Sequence, residues 1–138
     1  MADIKELQKI ATQVRRDVIR MVHGANSGHP GGALGCADFL TALYKEVMNY
    51  NPSKFDMNGT NEDIFFLSNG HLSAGWYSIL ARSGYFDVSE LATFRKLHTR
   101  LQGHPTTAEG LPGVRIASGS LGMGLSNEIG RASCRERV

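Results

Sequence analysis

Three histidines on glycine-containing turns are the residues of this 138-residue sequence best suited to chemistry. His29 and His104 each occupy the tripeptide Gly-His-Pro, and His71 ends a Ser-Asn-Gly-His turn. Because proline disfavours the helical conformation of the residue before it, His29 and His104 are expected in extended loop segments. A neutral imidazole held there can hydrogen-bond to hydroxyl or phosphate groups. One such tripeptide would favour an ordinary surface turn, but two of them together with His71 favour a functional site.

Other chemistries that use histidine fit the spacing less well. A zinc site built from the three separate loops is one alternative. However, the sequence has neither an i, i+4 histidine pair nor a Cys-x-x-Cys motif to accompany it. Ser120 lacks the Gly-x-Ser-x-Gly surroundings of a hydrolase nucleophile. The turn 119–124 reads Gly-x-x-Gly-x-Gly, which is not the order of a dinucleotide-binding turn. His23 and His98 are interpreted as a structural and a solvated residue.

A short apolar run, residues 64–67, and a second segment, residues 114–117, predict β-strands. The first run is unbroken, which is typical of a strand that is buried on both faces of a parallel sheet. A glycine-containing turn and the start of a helix follow each run, and free amide groups at a helix start attract anions. The sequence therefore predicts an α/β fold, with a parallel sheet covered by helices on both faces and both turns at one edge.

Apolar periodicity predicts the helices that would cover this sheet. The first is expected over residues 3–23, with Asp3 as its cap and Gly24 just after its end. A short helix, capped by Asp87 or Ser89, is expected to end at Leu97. A second long helix is expected over residues 34–48, and its inward side chains would be Cys36, Phe39, Leu40, Leu43 and Val47.

Composition excludes several classes of protein. The net charge of +2 arises in the last eight residues, which hold three arginines and one glutamate. The other 130 residues balance to zero and contain no basic stripe, so nucleic-acid binding is not expected. An apolar run of membrane-spanning length and a signal peptide are both missing. The two cysteines define no disulfide framework, and a soluble cytoplasmic protein is expected.

Four motifs carry a resemblance to a known family. They are Ser-Gly-His-Pro-Gly at 27–31, Leu-Ser-Asn-Gly-His at 67–71, Gly-His-Pro at 103–105 and Gly-Ser-Leu-Gly-x-Gly at 119–124. Their order and spacing resemble the transketolases over about residues 4–127, and most of all the N-terminal subunit of split bacterial transketolases. The resemblance implies thiamine diphosphate with Mg²⁺ or Ca²⁺ as cofactors, sugar phosphates as substrates, and a C-terminal half that completes a dimer-type assembly.

The resemblance also implies residue roles in the transfer of a two-carbon ketol unit from a ketose phosphate to an aldose phosphate, a reaction of the pentose phosphate pathway. Cofactor contacts would come from His71, Gly119, Ser120 and Leu121, and catalytic substrate contacts from His29 and His104. His71 would meet the cofactor diphosphate, while the other two histidines would hydrogen-bond sugar hydroxyls and help to move protons. The metal ligands, an aspartate and an asparagine, would follow residue 127, so this chain would supply none.

Alternatives within and beyond this family stay open. Met123 stands where the family usually has glutamine, which removes a polar side chain near the cofactor loop. Dihydroxyacetone synthase and deoxyxylulose-phosphate synthase are related enzymes, although the latter carries Gly-Gly-His-x-Gly in the first motif. A non-catalytic module that kept the fold would have less reason to retain His29, His71 and His104.

The resemblance ends after Asn127, so residues 1–128 are interpreted as an incomplete cofactor-binding domain. Residues 129–138 are compatible with the codons ATC GGA AGA GCG TCG TGT AGG GAA AGA GTG, which read as a common short-read sequencing adapter. This segment, with Cys134, is therefore interpreted as translated adapter and not as native protein.

We predict that genomic DNA continues past Asn127 in an open frame that encodes an alanine-rich helix and a Gly-Asp-Gly segment. The measurement is resequencing of the locus from intact DNA. Codons for residues 129–138 that differ from the adapter, or native DNA that encodes the same ten residues, would contradict the adapter interpretation.

Overall fold

The computed structural model describes residues 3–135, with side chains through residue 133. The last three residues of the predicted adapter segment and the side chain of Cys134 lie outside this described part. The α-helices are α1 (Ile4–Ala25), α2 (Pro30–Gly35), α3 (Ala37–Ala42), α4 (Ser73–Arg82) and α5 (Met123–Arg135). A π-helical turn, Leu43–Val47, continues α3, and short 3₁₀ turns lie at Pro52–Lys54, Gly70–Leu72 and Val88–Thr93.

The predicted parallel sheet is not confirmed, because residues 3–135 contain no β-strand. Segments 64–67 and 114–117 are non-helical, and Leu67 and Val114 are buried, yet neither segment is hydrogen-bonded as a strand. A parallel strand needs a neighbouring strand for its ladder of hydrogen bonds. The described residues provide neither segment with such a neighbour, so neither predicted strand forms within this part of the chain.

Helix α1 begins as predicted and ends two residues later than predicted. The Asp3 carboxylate accepts a hydrogen bond from the amide of Lys5 and caps the first turn. Asn26, and not Gly24, ends the helix in the left-handed conformation, with φ of 48°. Asparagine tolerates that conformation better than most residues, and its N–H donates to the carbonyl of His23.

The predicted second helix is broken and begins earlier than expected. Pro30 occupies the first turn of α2, where its missing N–H costs nothing, and the chain bends at Cys36 before α3 begins. The π-helical turn then shifts the helical register. As a result Phe39 and Val47 are exposed rather than inward, Cys36 is only half-buried, and Tyr44 enters the core.

The predicted short helix is a 3₁₀ turn, Val88–Thr93. Asp87 caps it as expected, because its carboxylate accepts a hydrogen bond from the amide of Ser89 at 2.7 Å. Leu97 lies beyond the turn and is exposed, so the predicted end of this element is wrong.

Helix α4 lies at the centre of the core and leads directly out of the His71 turn. Its large side chains, among them Trp76 and Ile79, are fully buried against α1 and α3. The Trp76 indole donates a hydrogen bond of 2.7 Å to the hydroxyl of Tyr44. Within residues 3–135, none of the helices has the length and apolar character needed to cross a bilayer.

A buried carboxylate fixes α4 to α1. Asp17 is 4% exposed, and its oxygen Oδ2 accepts hydrogen bonds from Ser78 at 2.8 Å and from the Arg82 guanidinium at 2.6 Å. A buried charge is tolerated when such partners compensate it. These bonds hold the helix whose N-terminal end carries His71.

Candidate functional site

Histidines 29, 71 and 104, hereafter the histidine cluster, lie side by side although they come from three separate loops. The ring centroids are 4.8 Å apart for His29 and His71, and 4.7 Å apart for His71 and His104. The rings of His29 and His104 are 6.3 Å apart. The structure therefore brings all three predicted histidines into one place, while the role of each stays a prediction.

His29 is presented at the start of α2 by its Gly-His-Pro tripeptide. Its φ of −123° and ψ of 86° lie outside the helical region, as the following proline predicts. Gly28 has a positive φ of 140°, and a side chain there would come within 2.9 Å of the Val22 side chain. Only glycine suits both conditions. The result is an exposed imidazole that is held on a tight turn.

His71 lies in the 3₁₀ turn that leads into α4. The Asn69 side chain accepts a hydrogen bond from the amide of His71 at 3.2 Å and so caps the turn. A Cβ atom on Gly70 would lie 2.0 Å from the carbonyl oxygen of Ser118, so glycine is required where the two loops touch. The His71 ring is half-buried, and its Nδ1 atom is buried without a hydrogen-bond partner.

The loop that carries His104 is tied to both neighbouring elements. The Ser73 hydroxyl at the start of α4 donates a hydrogen bond of 2.7 Å to the carbonyl of Gly103. On the other side, the amide of Ser118 donates to the carbonyl of Pro105 at 3.0 Å. These two bonds hold the imidazole in a half-buried position beside His71.

Burial lowers the pKa of His104 below its usual value of about 6.5. The positive charges that His71, Arg95 and His29 carry when protonated act in the same direction. The Arg95 guanidinium lies against Gly103, where an added Cβ would be 2.6 Å from it. His104 is therefore neutral at physiological pH. In this neutral form its imidazole can donate one hydrogen bond and accept another.

The predicted cofactor loop lies directly beside the His71 turn. A Cβ atom on Gly124 would come within 2.6 Å of the Ser68 backbone, and Ser118 touches Gly70. The two turns are thus adjacent as predicted, although no sheet edge joins them within residues 3–135. The three predicted contact residues are exposed, and they are Gly119, Ser120 and Leu121.

Sequence reasoning missed three residues that shape this site. Asn69 stands directly before a glycine and a histidine in a turn, and an asparagine in such a position predicts a side-chain cap. Arg95 approaches Gly103 from a left-handed backbone with φ of 58°, which no local pattern predicts for arginine. Ser118 is 3% exposed, and nothing in the sequence distinguishes it from the other serines of its loop.

The zinc alternative gains no support from the short distances between the rings. Among the described residues, no group of three or more histidine, cysteine, aspartate or glutamate side chains could hold a metal ion. The cluster is better suited to donating and accepting hydrogen bonds than to metal ligation.

Comparison with known proteins identifies the kind of domain that carries the three loops and their histidine cluster. The family profile described as "Transketolase, thiamine diphosphate binding domain" matches residues 6–138, so the chain belongs to this transketolase family. The family predicted from the four motifs is therefore confirmed. The match extends through residues 129–138, and the adapter interpretation of that segment stays a prediction.

Individual relatives agree with this assignment. The chain is 41% identical over 126 residues to the transketolase of Buchnera aphidicola subsp. Schizaphis graminum, covering 91% of this chain and 18% of that protein. The structure is similar to the Pichia stipitis transketolase complex with sedoheptulose 7-phosphate, with a TM-score of 0.82 and 40% identity over 90% of this chain. Campylobacter jejuni transketolase gives a TM-score of 0.82 at 39% identity, over 94% of this chain and 20% of its own. The chain thus spans about a fifth of the length of these relatives.

Proposed function

We propose that the complete protein containing this chain is a transketolase that transfers a two-carbon ketol unit from a ketose phosphate to an aldose phosphate. The observation that carries this proposal is the histidine cluster beside the 118–124 loop. Imidazoles less than 7 Å apart can address several hydroxyl groups of one sugar. The complex of the Pichia stipitis relative with sedoheptulose 7-phosphate supports a sugar phosphate as substrate.

Two features of the site support thiamine diphosphate as the cofactor. His71 has a buried Nδ1 atom without a partner and stands at the entrance to α4. A ring nitrogen there can hydrogen-bond to a diphosphate oxygen, and the exposed loop Gly119, Ser120 and Leu121 offers backbone groups to the cofactor rings. When bound, the cofactor supplies the carbon nucleophile and stabilises the carbanion that ketol transfer needs. The protein contributes orientation and hydrogen bonds.

His29 and His104 are proposed to act on the substrate. His104 is neutral near pH 7, because burial lowers its pKa, and so it can exchange a proton with a sugar hydroxyl. His29 stands 6.3 Å from it, which leaves room for the two rings to reach neighbouring hydroxyl groups. This arrangement supports proton movement by both residues during ketol transfer.

The rest of the protein would supply the remaining parts of the site. We propose that a divalent cation, Mg²⁺ or Ca²⁺, neutralises the diphosphate. Because no metal-binding group is found within residues 3–135, its ligands are proposed to come from the rest of the protein. The relatives are about five times as long as this chain. We therefore propose that a C-terminal half or subunit completes the site. A dimer-type assembly is also part of the proposal.

His71→Ala, introduced into the complete protein, is expected to weaken thiamine diphosphate binding by about ten- to a hundredfold. The physical reason is the loss of a hydrogen bond to a charged group, which contributes about 1.5–3 kcal/mol. Titration calorimetry of the apoenzyme with thiamine diphosphate and Mg²⁺ measures this change directly.

His23→Ala is the matched control, because His23 is an exposed histidine in the last turn of α1 and outside the cluster. It should leave the dissociation constant unchanged. Equal binding by His71→Ala and the parent protein would remove His71 from the cofactor site.

A further inference from the structure

A buried ion pair joins the two segments that lead into the proposed cofactor site. The Arg115 guanidinium donates a hydrogen bond of 2.6 Å to the Glu62 carboxylate, and the two side chains are 3% and 5% exposed. Arg115 lies just before the 118–124 loop, and Glu62 precedes the non-helical segment that leads to the His71 turn. The pair therefore connects the bases of the two elements that are proposed to hold thiamine diphosphate.

Further contacts fix both charged groups in one geometry. The Nε atom of Arg115 donates a hydrogen bond of 3.0 Å to the carbonyl of Asp56, and its Cζ atom lies 4.6 Å from the centroid of the Phe55 ring. The second carboxylate oxygen of Glu62 accepts a hydrogen bond of 3.3 Å from the amide of Asn51. Such partners are what allow opposite charges to remain paired away from water.

The same two segments touch again at their other ends. A Cβ atom on Gly70 would lie 2.0 Å from the carbonyl oxygen of Ser118, so the two backbones are in direct contact there. Neighbouring strands normally take their relative position from a ladder of hydrogen bonds, and the described residues form no such ladder. The ion pair at one end and the Gly70 contact at the other therefore determine how the His71 turn lies against the 118–124 loop.

We propose that Arg115 and Glu62 are positioning residues: their ion pair sets the distance between the His71 turn and the loop Gly119, Ser120 and Leu121. Stability alone accounts poorly for the pair, because apolar residues of similar volume often replace a buried ion pair without loss of stability. The inference rests on the proposed function of the site. It adds two residues that act through the loops and lie outside the predicted cofactor contacts.

Methionine substitutions in the complete protein test this proposal. Glu62→Met and Arg115→Met each leave one buried charge without its partner, so each should lower the melting temperature of the apoprotein. The double variant removes both charges and should regain most of that loss. The dissociation constant of thiamine diphosphate, measured by titration calorimetry with Mg²⁺, should rise about tenfold in all three variants, because each removes the same ion pair.

The double variant separates positioning from stability. If the pair only stabilised the fold, cofactor affinity would return together with the melting temperature, whereas loss of positioning leaves the affinity low. Arg115→Lys keeps the charges compensated and guards against a double variant that does not fold. One ammonium group cannot reproduce the guanidinium bonds to both Glu62 and the Asp56 carbonyl, so the dissociation constant should rise about threefold.

Glu90→Gln is the matched control. The Glu90 carboxylate forms a two-bond ion pair with Arg100, at 2.9 and 2.8 Å, and neither residue belongs to the two connected segments. Its substitution should leave the dissociation constant unchanged.

A parent-like dissociation constant in the double variant or in Arg115→Lys would overturn the inference while the proposed function stands, and so would an equal loss of affinity in Glu90→Gln. If the parent protein does not bind thiamine diphosphate, the proposed function fails, and the positioning role of the pair fails with it.

Discussion

The isolated 138-residue chain is expected to bind thiamine diphosphate weakly or not at all and to transfer no ketol group. Helix α5 and the loop before it leave large apolar side chains exposed: Leu121, Leu125 and Ile129 are 66%, 60% and 59% exposed. Exposed apolar surface of this kind favours aggregation. The described residues also lack a metal-binding group, so His71 and backbone amides alone would face the diphosphate charge. The expected loss of ketol transfer is therefore complete.

Titration calorimetry of the purified chain with thiamine diphosphate and Mg²⁺ tests this expectation. The complete protein, measured under the same conditions, is the control and should bind the cofactor. Micromolar or tighter binding by the isolated chain, or any ketol transfer, would show that the functional unit ends earlier than we infer.

In the complete enzyme, His29→Ala and His104→Ala should lower turnover by about 10²- to 10⁴-fold, the usual contribution of a positioned proton-transfer group. Substrate affinity should also fall, because each imidazole is proposed to hydrogen-bond a sugar hydroxyl. Cofactor affinity should change much less than in His71→Ala. Steady-state kinetics at saturating cofactor separates these effects.

The pH profile adds a sharper readout for His104. Since burial lowers its pKa, the neutral form that accepts a proton persists below pH 6.5 and is lost only on further acidification. In the pH profile of kcat/KM, the fall on the acidic side that reflects protonation of His104 should therefore occur at a lower pH than for an ordinary histidine. His104→Ala should remove this fall. Parent-like turnover of both alanine variants would show that these residues have no catalytic role.

Much of the site could be predicted from the sequence because local patterns determine it. The Gly-His-Pro tripeptides fix loop conformations through proline and glycine, and the structure places His29 and His104 on such loops. The family assignment followed from four motifs, and the profile match confirmed it. What local patterns do not encode is the distance between loops, so the approach of the three rings appears only in the structure.

The fold was less predictable, because burial of polar groups and strand pairing depend on distant residues. Asp17 lies on the buried face of α1, where Ser78 and Arg82 of the distant helix α4 compensate its charge. In the segment predicted as a strand, the Arg115 side chain is 3% exposed and forms a 2.6 Å ion pair with Glu62. An apolar run such as 64–67 indicates burial correctly at Leu67, but it cannot by itself supply a strand partner.

The most direct test of the histidine cluster as a cofactor and substrate site is a crystal structure of the complete protein with thiamine diphosphate and Mg²⁺. We predict a ring nitrogen of His71 within hydrogen-bond distance of a diphosphate oxygen. The loop Gly119, Ser120 and Leu121 should lie against the cofactor rings, and His29 and His104 should face the reacting carbon. A cofactor bound away from these six residues, or a diphosphate contacted without His71, would contradict the account.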